Sequence, residues 1–465
     1  MKKYDVAIIG AGTSGLSARR EVEKVTDNYV VVDGGTLGTT CARVGCMPSK
    51  VLIQVAHDFH RREVLAQEGI HGGEKLTVDQ QGVMKHVRAL RDRFVRGVMS
   101  GFEEWKESHF IGKYAQFIDR NTLDLGDEKI QADKIIIATG SKPIFPEAWK
   151  PFSSYFMDTD VFFEQETLPE KIAVLGLGVI GIELGQSLHR LGFNVTGVGR
   201  RDGIGGLSDP VVKEYARNKF AEEMNISFGG VQSLGEADGQ IILKMESHEV
   251  RADKVLLAMG RRPNLKNLGL ENLDINVNNS GVPDYNRKTF QVGDLPIFIA
   301  GDVTGENGIL HEAADEGRIA GFNAVHSPEQ FTTRTPLAIT FSAPNICVAG
   351  LSYDDVTARE GEFAVGEVSF EGQGRSIVML EEIGHLRVYG CKETGALLGA
   401  EMFAPHGEHL AHLVAWAVAM KLTVTQTLAL PFYHPVVEEG LRTALRDLDS
   451  KLNNPKKGPL EISNL

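Results

Sequence analysis

The chain has 465 residues, room for about three domains at ~150 residues each, and its 42% hydrophobic and 24% charged residues are an ordinary globular composition. Its 49 Lys and Arg against 62 Asp and Glu leave a net charge of -13, which disfavours nucleic acid or an anionic membrane as the main partner while letting a local basic cluster hold a phosphate. No apolar run approaches the ~18 residues of a membrane span, and the start, Met1 to Asp5, turns at once into an acid-interrupted strand rather than a signal peptide. Four cysteines are too few for a structural disulfide framework, and 51 glycines without a Gly-X-Y period point to tight turns that let phosphate approach. A soluble, cytoplasmic protein is expected.

Val6 to Ile9 is a buried-strand run, followed by Gly10-Ala11-Gly12-Thr13-Ser14-Gly15, a helix from Leu16, and a strand, Tyr29 to Val32, ending in Asp33. The same syntax recurs at Ile172 to Leu175, Gly176-Leu177-Gly178-Val179-Ile180-Gly181, a helix through His189, and the strand Asn194 to Val198. Two βαβ openings predict two nucleotide-binding domains, each on a parallel sheet. Between them, Pro48 to Ala66 and Asp79 to Glu107 read as long amphipathic helices, and Phe110 to Ile118 and Thr122 to Ile130 as short antiparallel strands. The strand Lys134 to Ala138, stopping at Thr139-Gly140, is echoed by Lys254 to Ala258 before Met259-Gly260, so the repeat extends past the glycine turn. After Pro336, strands at Asn345 to Gly350, Gly384 to Tyr389 and Ala396 to Phe403 precede helices from Glu408 to Met420 and from about Glu438, a third domain of α+β type. Asn453 to Pro459 reads as a mobile polar tail.

Each G-x-G-x-x-G follows a strand and opens a helix, the context the motif needs. The first glycine makes the turn, the second admits pyrophosphate to the backbone, and the third allows close packing, with the helix N-terminus offering unpaired N–H donors. Asp33 stands where a carboxylate accepts from ribose hydroxyls. The second copy instead ends Val198-Gly199-Arg200-Arg201. Guanidinium groups suit a 2′-phosphate, so NADPH is favoured; Gly181 pulls toward plain NAD, and the two arginines also fit a solvated loop.

Cys41-Ala42-Arg43-Val44-Gly45-Cys46 holds half of the cysteines. In an ideal helix an i, i+5 pair stands roughly 8–9 Å apart at Cα, beyond the ~7 Å limit of a disulfide. Gly45 and Pro48 are placed to distort the backbone. Such a loop suits a readily reduced catalytic disulfide, with Arg43 and a helix start favouring thiolate; the alternative is two packing cysteines. His434 and Glu439 pair an imidazole with a carboxylate at a helix start, although spacing alone fits a surface histidine as well. Lys50 shares a helix face with Cys46, and Glu183 follows the second glycine turn; each also fits an ordinary surface position. Asp302 ends the strand Ile297 to Gly301, where ligands of α/β folds bind. Cys347 and Cys391 read as packing residues, and no metal site is predicted.

In this order, from Tyr4 to about Asp447, the motifs resemble those of the class I pyridine nucleotide–disulfide oxidoreductases, FAD enzymes, nearest their dihydrolipoyl dehydrogenase branch. The resemblance implies an FAD-binding domain (1–148 and 264–336), an NAD(P)-binding domain (149–263) and a C-terminal interface domain (337–465) of a homodimer with shared active sites. FAD is implied at Gly10, Gly12, Gly15, Asp33, Lys50, Ala115, Thr139, Gly140 and Asp302, the last on the ribityl chain. NAD(P)H is implied at Gly176, Gly178, Gly181, Arg200, Arg201 and Gly260. Cys41 becomes the thiol that exchanges with substrate and Cys46 the thiol facing the flavin. Lys50 and Glu183 match an ion pair beside the flavin's reactive nitrogen, and His434 with Glu439 a pair acting on the disulfide of the partner subunit. Electrons would run from NAD(P)H through FAD and Cys41–Cys46 to a small dithiol or disulfide, free or on a lipoyl-carrying protein. The rival readings are an NADPH-dependent reductase of glutathione-like disulfides and a flavin-binding redox sensor.

There are departures. The family's Gly-Gly-Thr-Cys is Gly38-Thr39-Thr40-Cys41, its loop Asn is Arg43, and its His-Pro-Thr carries Val436. Val179 follows the dehydrogenase type, whereas Arg20 matches a carboxylate-binding arginine of glutathione reductases. The absence of a C-terminal cysteine pair points away from mercuric reductase.

Overall fold

The structure, a computed structural model, describes residues 1–453, so the tail beyond Asn453 lies outside the described residues. The chain divides into two compact units: Met1–Pro48 with Lys85–Ile144 and Gly260–Arg334, and Ser49–Met84 with Phe145–Met259 and the chain from Thr335.

The first unit is built on Lys2–Ile9, paired in parallel with Tyr29–Val32 and with Lys129–Ile137, which in turn pairs in parallel with Ile297–Ile299. Alternate residues of these strands supply two cores. Val6, Ile8, Val31, Ile136 and Phe298 pack with Ala18, Val22 and Ala320 from the helices Thr13–Val22 and Leu310–Val325. On the opposite face Ala7, Ile9, Val30, Ile135 and Ile137 pack with Phe117, Leu123 and Leu265. With both faces covered, the strands read as continuous apolar runs. The two helices meet on small residues: a Cβ at Gly317 would lie 2.2 Å from the Ser14 carbonyl oxygen, and one at Gly321 2.5 Å from that of Ala18.

The second unit carries an all-parallel sheet in the order Asn225–Phe228, Asn194–Gly199, Lys171–Leu175, Lys254–Leu257, Phe156–Met157. It also holds a three-stranded antiparallel sheet (Ser233–Ala237, Gln240–Lys244, Glu249–Ala252). A five-stranded antiparallel sheet runs Leu337–Thr340, Asn345–Gly350, Leu397–Ala404, His385–Cys391, Phe363–Ser369 and is covered by Gly407–Ala419 and Glu439–Ser450. Buried polar groups join the sheets. Asp209, capping the helix Pro210–Glu223, accepts from Arg387 at 2.8 and 2.9 Å and from Tyr389 Oη at 2.9 Å. Fully buried Glu401 accepts from the N–H groups of Ser208, Asp209 and Tyr353.

Several expected boundaries move. The helix expected at Pro48 to Ala66 spans Cys46–His60, because a proline in the first turn removes only an N–H that has no helical partner. The segment expected at Asp79 to Glu107 is helical over Gln80–Glu103, with a separate turn at Lys106–His109. Phe110 to Ile118 is two elements: Phe110–Ile111, parallel to Tyr29–Val32, and Gln116–Asp119, antiparallel to Thr122–Asp124. Thr122 to Ile130 is likewise broken, at Gly126 with φ +94°. The first sheet is therefore mixed rather than parallel throughout.

Candidate active site

In the first unit the glycine turn divides its labour by geometry. Gly10 has φ +113°, and a Cβ on it would stand 2.2 Å from the Ala138 carbonyl oxygen; one on Gly15 would stand 1.9 Å from that of Gly10. Around Gly12 no atom lies within 4 Å of the Cβ position, so the backbone there is open to a ligand at the head of the helix Thr13–Val22. Asp33 leaves its strand end and accepts from Ala11 N–H and from Gly35 N–H, both at 2.7 Å, which orients the carboxylate over the turn. At the end of Ile297–Ile299, Gly301 holds φ +86°, and Asp302 accepts from Ser141 Oγ at 2.9 Å. Arg261 donates to Ser141 Oγ at 2.9 Å and to its carbonyl oxygen at 2.8 Å, so the Ser141 proton is left to face Asp302. Gly140, at φ +67°, follows Thr139, and Ala115 is buried beside exposed Tyr114.

Three buried side-chain polar atoms described in this unit lack a partner: Ser14 Oγ, Arg43 Nε and Thr139 Oγ1. All three belong to segments assigned to FAD or to the cysteine loop. Buried polar groups are costly unless bonded, so these orphans, with the open cradle at Gly12, fit a bound dinucleotide.

The cysteine loop is a short helix, Thr40–Val44, interrupted at Gly45 (φ -127°, ψ -119°) before the helix that starts at Cys46. A Cβ on Gly45 would lie 3.0 Å from Thr40 O and 3.2 Å from Cys41 Cα, so the chain folds back closely between the two half-buried cysteines. Thr39, where the family pattern has glycine, holds φ +62° and ψ +149°, a region costly for a β-branched residue, and its Oγ1 accepts from Ala42 N–H at 3.3 Å.

In the second unit the glycine turn repeats the first. A Cβ on Gly176 would meet Ala258 O at 2.2 Å, one on Gly181 would meet Gly176 O at 1.8 Å, and the position at Gly178 is open. Gly260 holds φ +96°. The end of the following strand differs: Arg200 and Arg201 are exposed, and a Cβ on Gly199 would lie 2.7 Å from Phe228 Cδ1. Lys50 Nζ meets both Glu183 carboxylate oxygens at 2.9 and 3.0 Å and lies 4.6 Å from the centre of the Phe341 ring. The Glu183 side chain is only 4% exposed and also accepts from Phe341 N–H at 2.8 Å, so its charge is compensated on two sides.

His434 Nδ1 lies 3.0 Å from Glu439 Oε2, leaving Nε2 directed outward from a ring whose side chain is 81% exposed. Partial burial pushes the Glu439 carboxyl up, but the hydrogen bonds from His434 and from Val436 N–H outweigh it and hold the group below its ordinary value. A carboxylate so placed orients the imidazole ring. Trp416, Met420, Leu430 and Tyr433, all large and exposed, lie in the same C-terminal region. Cys347 is fully buried, its thiol pushed well up by burial, whereas Cys391 is half-exposed and its thiol is lowered by Thr394.

Residues 4–317 match the family model described as pyridine nucleotide-disulphide oxidoreductase, and 337–445 match its dimerisation domain. The chain belongs to this family. It is therefore an FAD-dependent pyridine nucleotide–disulfide oxidoreductase, an enzyme acting on sulfur groups, and it carries the family's dimerisation domain. Among curated relatives it is 28% identical to dihydrolipoyl dehydrogenase of Thermus scotoductus over 96% of this chain and 98% of that one. It is 28% identical to mitochondrial dihydrolipoyl dehydrogenase of Homo sapiens over 95% and 89%, and 26% identical to mercuric reductase of Bacillus cereus over 97% and 72%. Among solved structures, LpdA of Mycobacterium tuberculosis superposes with a TM-score of 0.83 at 21% identity, covering 96% of this chain and 99% of that one. The HOCl-induced flavoprotein disulfide reductase of Escherichia coli gives 0.81 at 20% identity, again over 96% and 99%; at these identities both likenesses concern the fold. Among the described residues of this oxidoreductase no helix is long and apolar enough to cross a membrane, and no His, Cys, Asp or Glu cluster could hold a metal.

Sequence reasoning missed Ser141, Arg261 and Glu316 around the Gly301–Asp302 turn, and Phe228 beside Gly199. Ser141 adjoins the Thr139-Gly140 motif and was within reach of it. The others carry no local signal.

Proposed function

We propose that the enzyme passes electrons between NADPH and a small dithiol or disulfide, free or on a lipoyl-carrying protein, in the manner of a dihydrolipoyl dehydrogenase. The observation that carries this reading is the helix break at Gly45, which folds the chain back between Cys41 and Cys46. Full-length likeness to dihydrolipoyl dehydrogenases supports the substrate class. We assign the FAD-binding domain to 1–148 and 264–336, the NAD(P)-binding domain to 149–263 and the interface domain to the rest, in a cytoplasmic enzyme.

FAD, when bound, supplies the hydride and electron chemistry. The chain's own residues do the remainder. Gly10, Gly12 and Gly15 seat the phosphates, Asp33 accepts from the adenosine ribose, Ala115, Thr139 and Gly140 line the dinucleotide, and Asp302 orients the ribityl chain. Gly176, Gly178, Gly181 and Gly260 shape the nicotinamide dinucleotide site, with Arg200 and Arg201 for a 2′-phosphate. Cys41 attacks the substrate sulfur as thiolate and Cys46 then displaces it, forming the intramolecular disulfide; the reverse order opens it. His434, oriented by Glu439, takes and returns the thiol proton for the partner subunit's pair. Lys50 and Glu183 are the ion pair whose fixed charge serves the flavin.

Thiol variants test the assignment. Cys41→Ser should abolish turnover of lipoamide yet keep the long-wavelength absorption of a thiolate beside flavin, and Cys46→Ser should lose that absorption. Full activity in both would overturn it. Mixing inactive His434→Ala and Cys41→Ser subunits should restore activity in heterodimers, since one site then holds both native groups; none in verified heterodimers would mean that each subunit builds its own site.

A further inference from the structure

The turn that carries Asp302 is held from behind by a carboxyl group with no assigned role. Gly301 N–H donates to Glu316 Oε2 at 2.7 Å. Glu316 lies on the helix Leu310–Val325, next to Gly317, whose Cβ position is 2.2 Å from the carbonyl oxygen of Ser14. Gly301 is seated on the same residue: a Cβ there would lie 3.2 Å from Ser14 Oγ, one of the buried atoms without a partner. Glu316 is thus packed beside the start of the helix Thr13–Val22, whose open Gly12 is read above as the phosphate seat.

Its surroundings are acidic. Glu312 on its own helix and Asp302 and Glu306 from the Gly301 side face it, and Tyr285, pushed up to about 12 chiefly by burial, feels the same group. The nearby cation, Arg287, is engaged by Glu306 at 2.6 Å, and the neighbouring Asp315 is turned to Arg318 and Arg334. Burial first, and then Glu312, Asp302 and Glu306, raise the Glu316 carboxyl to about 7 against the opposing Gly301 N–H.

We propose that Glu316 takes up a proton when FAD seats, so that the enzyme holds its cofactor more weakly as pH rises above neutrality. The inference rests on reading Gly12 as the phosphate seat and Asp302 as the ribityl ligand. Two phosphate charges arriving at the Ser14 end of the helix add to the carboxylates already facing Glu316, and like charge in a poorly solvated place disfavours the anion. The neutral acid still accepts from Gly301 N–H through its carbonyl oxygen, so the turn is kept. Between the value without cofactor and the higher value with it, one proton accompanies each FAD. Affinity then falls with pH by up to about tenfold per unit.

Holoenzyme is equilibrated at pH 6.5 and at pH 9, and released FAD is read by its fluorescence. The dissociation constant should rise about fivefold or more, given the linkage slope. Glu316→Gln, which accepts from Gly301 N–H at either pH, should match wild type at pH 6.5 and change less than about twofold by pH 9 under the same linkage. As a check needing no variant, FAD release from wild type at pH 8 in weak buffer should liberate about half a proton or more per FAD. A pH-independent wild-type constant, tighter binding at alkaline pH, an unchanged slope in Glu316→Gln, or no proton release would each overturn the proposal. Protein purified without any flavin would instead overturn the cofactor reading beneath it.

Discussion

The two glycine turns share one backbone solution and part company at the end of the strand that follows. In both, the third glycine lies within 2 Å of the first glycine's carbonyl oxygen once a Cβ is added, and the second faces open space. Twenty-odd residues on, the first carries Asp33, drawn over the turn by two backbone N–H groups at 2.7 Å. The second carries Gly199, pressed on Phe228, then Arg200 and Arg201 in solvent. The turn geometry is a matter of backbone sterics and so repeats; the charge at the following strand end is a matter of side chains and so diverges.

The largest effect should come from breaking the shared part. Gly15→Ala puts a methyl group 1.9 Å from Gly10 O, an overlap that the backbone must relieve at about 3 kcal/mol or more. Flavin content and melting temperature should both fall, and Gly181→Ala should do the same to nicotinamide binding while flavin is retained. Gly12→Ala, with nothing within 4 Å, should keep the melting temperature and lose flavin affinity alone. If Gly12→Ala and Gly15→Ala behaved alike, the division of labour within the turn would be wrong.

A smaller effect separates the ribose ends. Asp33→Asn weakens two charge-assisted acceptors, at about 1.5–3 kcal/mol for such bonds, and should cost roughly ten- to a hundredfold in flavin retention. Arg200→Ala with Arg201→Ala should raise the KM for NADPH about tenfold more than that for NADH, and the gap should shrink as salt rises, because both arginines are exposed. A wild type preferring NADH tenfold would end the NADPH reading.

The smallest effect is the most discriminating. Gly199→Glu on its own should not convert the enzyme to NADH, because its Cβ would stand 2.7 Å from the Phe228 ring. Pairing it with Phe228→Ala should move the ratio of NADH to NADPH kcat/KM several-fold toward NADH. A conversion by Gly199→Glu alone would show that Phe228 yields without cost.

The sequence by itself determined the elements whose chemistry is local. Strand, glycine turn and helix follow from contiguous residue types, and the repeated syntax corresponds to two glycine turns of the same backbone geometry. The i, i+5 spacing of Cys41 and Cys46, with Gly45 between them, predicts a distorted backbone, because an unbroken helix holds the two beyond disulfide reach, and the helix does break at Gly45. Element ends were less legible. Pro48 looks like a helix start but tolerates a start at Cys46, and the run from Phe110 to Ile118 hides a change of partner strand that composition does not mark.

Only tertiary structure decided which distant residues meet. Lys50 and Glu183, separated by 133 positions, are paired by the family resemblance and not by anything in their own segments, and Ser141 and Asp302, separated by 161, are paired by neither. Nothing within either segment of such a pair encodes the other's distance. Glu316 is the plainest case: a glutamate on an amphipathic helix reads as surface. It becomes a half-buried partner of Gly301 because Gly317 and Gly321 let its helix settle against Ser14 and Ala18. Periodicity reports which face of an element is apolar; it does not report how closely two elements approach. That distance is set here by the side chains that Gly317 and Gly321 lack, and it exists only once the chain has folded.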